Sequence, residues 1–179
     1  MAMVDDVPSS SLLLAEYDKM KDEQKARIGT RDKILYATFV ALFSVVVTTV
    51  QGRHTSLLLI LPGATSVLGW TYLMNDQKIS AIGRYIRTDL GPRLSALAGA
   101  EHNLFGWEVA HRRDRHRTQR KIIQCAVDLS VFTAIPLAAV IAYWCNATSS
   151  TMPLLISFVE TVAILVLSAQ IVRYAETGP

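Results

Sequence analysis

Four long apolar runs organise the chain: Ile34–Val50, Ser56–Met74, Ile122–Trp144 and Met152–Val172, of 17, 19, 23 and 21 residues. The first two contain no Asp, Glu, Lys or Arg; the third contains Asp128 and the fourth Glu160. A helix of about 20 apolar residues crosses a hydrocarbon core of roughly 30 Å. A helix of a soluble bundle keeps a polar side, whereas these runs are apolar almost all round. The pattern predicts an all-α polytopic membrane protein with four transmembrane helices. Short polar links, 51–55 and 145–151, join the runs in pairs. Two hairpins follow: 34–74, with spans 34–50 and 56–74, and 122–172, with spans 122–144 and 152–172.

The remaining segments read differently. Residues 1–10 have the composition of a flexible tail, and 173–179 form a second short one. Residues 11–33 place Leu13, Tyr17, Met20, Gln24 and Ile28 on one side of a helix and charges elsewhere. This is an amphipathic helix expected in the cytosol. Its acidic content (Glu16, Asp18, Asp22, Glu23) disfavours an anionic lipid surface and favours packing on a partner protein or a neighbouring subunit. Residues 75–121 place Ile79, Ile82, Ile86 and Leu90 at helical spacing, with an interruption expected at Gly91-Pro92. A second helical stretch then leads into the third run, after a break expected around Gly99–Asn103. Spans 2 and 3 should therefore extend beyond the membrane as a basic helical hairpin, too small for a catalytic domain with its own core.

Charge orients this arrangement. Of the 18 Lys and Arg residues, six lie in 1–33, one in 51–55, ten in 75–121, none in 145–151 and one in 173–179. With four spans, 17 fall on one side and one on the other. The positive-inside rule places both termini and the 75–121 segment in the cytoplasm of a plasma or bacterial inner membrane. The pI near 9.0 reflects this asymmetry, and no nucleic-acid partner is expected. The first run lies behind a charged segment and should act as an uncleaved span. Cys125 and Cys145 lie about 30 Å apart on one predicted helix, so free thiols are expected.

Candidate chemistry is sparse. A charge at the centre of a span costs roughly 2.5–3.5 kcal/mol on insertion scales, so Glu160 demands an explanation. At helical spacing it shares a side with Ser157, Thr161, Ile164 and Ser168, a stripe that should face protein or water rather than lipid. Three roles are open to Glu160: a structural hydrogen bond to a neighbouring span, a ring of carboxylates along a cation pathway, or a proton relay. Asp128 continues a polar series of Arg117, Lys121 and Gln124 at the inner mouth. A basic partner such as Lys33 or Arg31 is expected for it, or a charged vestibule.

The cluster Arg112, Arg113, Arg115, Arg117, Arg120 and Lys121 should meet anionic lipid head groups, with an anionic cytosolic ligand as the alternative. Small residues allow close approach of spans, and two series have the spacing for it: Ala37, Ala41, Ser44 and Thr48, and Ala126, Ser130, Ala134 and Ala138. Glu108 and His111 form a lone Glu-x-x-His pair, whereas a di-iron bundle needs two such pairs and two further carboxylates. No metal, cofactor or familiar enzyme motif is therefore expected. Taken together, the residues point to a homo-oligomeric channel or pore-type effector gated through its cytosolic helices. The alternative is a non-conducting membrane scaffold, sensor or accessory subunit that recruits a cytosolic protein.

Overall fold

A computed structural model describes residues 9–52, 54–99, 117–146 and 151–177. Nearly all of these are helical, and none among the described residues lies in a strand. Helix α1 runs Ser9–Gly52. A 3-10 turn, Thr55–Leu59, leads into α2, Ile60–Tyr85, which continues through a π turn, Ile86–Leu90, into α3, Gly91–Leu97. Helix α4, Arg117–Leu129, passes through a second π turn, Ser130–Ala134, into α5, Ile135–Asn146; α6 is Thr151–Thr177. Among the described residues, four continuous helices are long and apolar enough to cross a membrane: Ser10–Gly52, Thr55–Leu97, Gln119–Asn146 and Thr151–Ala175.

Prolines lie within these helices without stopping them. Pro62 and Pro153 sit in the first turns of α2 and α6, where a missing N–H is tolerated. Pro92 and Pro136 lie inside continuous helix. A proline ring there strikes the carbonyl four residues earlier, which belongs to Thr88 or Phe132. Both carbonyls fall within a π turn, and each π turn ends two residues before its proline. The wider turn moves the offending carbonyl aside. The interruption expected at Gly91-Pro92 therefore does not occur, and the helix ends later, at Leu97. Gly99 follows with φ 62°, the left-handed conformation that glycine supplies after a helix C-terminus.

The chain forms two compact units, Met1–Thr30 with Asn75–Arg117 and Arg31–Met74 with Thr118–Pro179. In the first, Ile86 and Leu90 are fully buried and Leu94 nearly so, packed against Leu13, Tyr17, Met20, Ile82 and Tyr85. Leu13, Tyr17 and Met20 of the 11–33 helix thus pack on residues of their own chain, while Ile28 of the same apolar side is exposed. A polar rim surrounds this core. The Tyr85 hydroxyl donates to Glu16 Oε1 at 2.6 Å, Arg27 donates to Asn75 Oδ1 at 3.3 Å, and Arg27 bridges to Glu23 at 2.6 Å.

The second unit has a core of Leu42, Leu61, Tyr72, Leu73, Val131, Phe132, Ala139, Leu167 and Ile171. Phe132 stacks obliquely on Tyr72, with ring centroids 5.3 Å apart. Gly69 lets the backbone approach: a Cβ there would lie 2.6 Å from Leu167 Cδ2 and 2.8 Å from Phe132 Cδ1.

Candidate functional site

The second unit carries polar groups at successive levels along α4, α5 and α6. At the first level, Trp144 Nε1 on α5 donates to Ser157 Oγ on α6 at 3.0 Å. Three residues along α6, Glu160 lies against the backbone of Gly63, whose added Cβ would stand 3.3 Å from Glu160 Oε1. Thr161 returns its hydroxyl to the Ser157 carbonyl at 2.7 Å. Further along, Ser168 and Thr133 share a hydrogen bond of 2.7 Å. At the last level Gln124 Nε2 donates both to Tyr72 Oη at 2.7 Å and to Asp128 Oδ1 at 2.9 Å.

The stripe expected on α6 is therefore turned inward. Ser157 and Ile164 are buried and Glu160, Thr161 and Ser168 half-buried, while Phe158, Val159, Val162 and Leu165 on the other sides are exposed. Its neighbours within the chain include Trp144 on α5, Thr133 in the second π turn and Gly63 on α2. Glu160 Oε2 is buried without a hydrogen-bond partner, as are Ser66 Oγ and Thr49 Oγ1 in the same unit. An unpaired buried polar group costs about 1–3 kcal/mol, so this carboxyl gains from any water or cation that reaches it. Asp128 is 9% exposed and accepts a hydrogen bond from Gln124 at 2.9 Å.

Most residues of the two small-residue series lie on uncovered sides of their helices. Ala37, Ser44 and Thr48 are exposed and Ala41 half-buried, while the inward side of α1 is Thr38 and Leu42. Ala126, Ser130, Ala134 and Ala138 are all exposed, and the buried side is Val131, Phe132, Pro136, Ala139, Val140 and Tyr143. Both series are displaced from the packed side by about one residue. Of the basic cluster, Arg120 is exposed and Lys121 half-buried, Arg117 opens α4, and Arg112, Arg113 and Arg115 lie outside the described residues. So do Glu108 and His111. Among the described residues no group of three His, Cys, Asp or Glu is placed to hold a metal. Neither Cys125 nor Cys145 forms a disulfide.

Sequence reasoning missed Gly63, Tyr72, Thr133 and Trp144. Tyr72 and Trp144 look like further apolar residues of their runs, yet each carries a polar handle that seeks a partner when buried. In the first unit, the Glu16 carboxylate accepting from Tyr85 raises the phenol above its usual 10.0, with burial adding to the effect.

Comparison with protein-family models, with curated proteins and with solved structures finds no match for this chain.

Proposed function

We propose that the chain is a four-span, self-associating membrane channel with both termini in the cytoplasm, resting in a closed form. The observation that carries this reading is the inward polar stripe of α6 with Glu160 at its centre. An ionisable residue retained among spans marks a substrate or ion path more often than a structural need. The uncovered small-residue series on α1, α4 and α5 support self-association, because close helix contact in lipid uses such surfaces. Four apolar helices and the 17-to-1 distribution of Lys and Arg support the orientation. The cytosolic unit of 11–30 and 75–97, with its own core, is the element suited to receive a signal and pass it along α1 and α2.

Purified protein in liposomes tests this. Glu160→Gln should change cation flux while leaving assembly intact. Flux absent from both forms, with a cytosolic protein co-purifying, overturns the channel. Orientation is read separately: an impermeant maleimide should label Cys145 from outside intact cells, and labelling only after lysis would invert the topology.

A second reading, a non-conducting scaffold or accessory subunit, draws on a different observation. Phe132 and Ile164 are fully buried and close the stripe between its polar levels with packed hydrocarbon. In this reading Glu160 only fastens α6 to α2.

A further inference from the structure

At the basic end of α4 an open cavity of about 390 Å³ is lined by Ile122, Cys125, Ala126 and Leu129 of α4 and by Val172 and Ala175 of α6, with Lys121 at its edge. Its size falls at the lower end of the roughly 300–1,000 Å³ typical of small-molecule sites. Its walls are hydrocarbon and one thiol, and its only charged lining residue is the lysine. Arg120 and Arg173, next in sequence to lining positions, are exposed. The ligand that matches this division is amphiphilic: an apolar chain for the walls and an anion for the lysine.

We propose that this cavity binds one acyl chain of an anionic phospholipid of the cytoplasmic leaflet, with the lipid phosphate at Lys121. Depth and charge agree. The cavity lies at the first turns of the third apolar helix and the last turns of the fourth, the ends that the basic segments 112–121 and 173 flank in sequence. Positive-inside orientation puts that end at the leaflet that carries anionic lipid, where basic pockets between spans take such head groups. The small side chain of Ala126, and Ala175 opposite on α6, leave the space; the larger Ile122 and Leu129 bound it along α4. The site would be a specific seat within the general attraction of the arginine cluster, separating one bound lipid from a diffuse charged layer. It rests on the four-span reading but not on conduction.

Cys125 lines the cavity and reports its occupancy. A Cys145→Ser background leaves it the one thiol of the chain, and the full chain is reconstituted into phosphatidylcholine vesicles with or without phosphatidylglycerol. Flotation with the vesicles and resistance to alkaline extraction establish insertion first; failure there refutes the four-span reading rather than the lipid site. In inserted protein, phosphatidylglycerol should slow labelling of Cys125 by a permeant maleimide. Lys121→Gln should weaken that protection about fivefold, the worth of one basic residue near an anionic surface. Ala126→Leu should fill the cavity and make labelling indifferent to head group. Equal labelling in both lipids overturns the proposal. So does protection that follows the protein-to-lipid ratio and not the head group, which would make the cavity a contact between copies.

Discussion

The two units bury their chemistry in opposite ways. In the first, a small apolar core of Ile86, Leu90 and Leu94 is ringed by polar contacts, Tyr85 to Glu16 and Arg27 to Asn75. In the second, most exposed large side chains are hydrocarbon and two polar pairs, Trp144–Ser157 and Thr133–Ser168, join neighbouring helices. The first is the order that water imposes and the second the order that lipid permits. Helix α1 carries both patterns along its length, its composition changing near Lys33. A reader of fold class should therefore ask of each segment which side carries its polar groups, rather than how apolar it is.

The largest effects should come from the cores, and they should be separable. Phe132→Ala should cost the second unit about 3–5 kcal/mol, and Leu90→Ala should cost the first about 2–5 kcal/mol. Hydrogen exchange resolved by peptide reads both. Phe132→Ala should expose amides of 122–146 and 152–175 while sparing 11–30 and 75–97, and Leu90→Ala should do the reverse. Equal loss in both units for either variant would merge them into one cooperative body.

A smaller difference lies in the glycines. Gly69→Ala drives a methyl into Leu167 and Phe132 and should destabilise by about 1–3 kcal/mol. Gly83→Ala meets only the end of the flexible Gln24 side chain, at 3.4 Å, and should stabilise helix α2 by up to about 1 kcal/mol. Denaturant titration of the two variants checks the pair; equal signs would mean that the two units are packed to the same tightness.

The smallest effect is the Tyr85–Glu16 contact, which gives the first unit an alkaline limit. Its phenol titrates above 10.0 in the folded chain, so the stability it adds is complete below the unfolded value. That stability is lost as pH rises through the folded one. Fluorescence or exchange in the 11–30 segment should loosen above pH 10 in the parent, and Tyr85→Phe should remove that step. A step unchanged in Tyr85→Phe would assign it to another group.

Much of this was legible. Apolar runs located all four long helices, because length and hydropathy are properties of composition and survive any packing. The apolar sides of 11–33 and 79–90 were readable too, since water leaves a clean amphipathic pattern; only their mutual occupancy was not. Inward sides of the apolar helices resisted reading. Where Phe158 and Ile164 are equally apolar, nothing in the residue type separates the exposed one from the buried one. Small-residue spacing pointed to the uncovered sides, with the packed sides one residue away. Glu160 could be assigned to an interior stripe by its cost, yet its neighbour is a backbone, that of Gly63, and backbone leaves no trace in a list of side-chain types. Pro92 suggested a break, and the chain accommodates it, like Pro136, with a π turn just before the proline.

Those π turns matter to anyone aligning this chain by eye. A π turn holds one residue more than the α turn it replaces, and one residue of α-helix is a rotation of about 100°. The buried positions Asp128, Val131, Phe132, Pro136, Ala139, Val140 and Tyr143 nevertheless keep one side through the π turn, so a helical wheel drawn straight through 117–146 still finds the packed side. The same holds for Ile86, Leu90 and Leu94 across the first π turn. Each proline is thus passed without a change in the side that its helix buries.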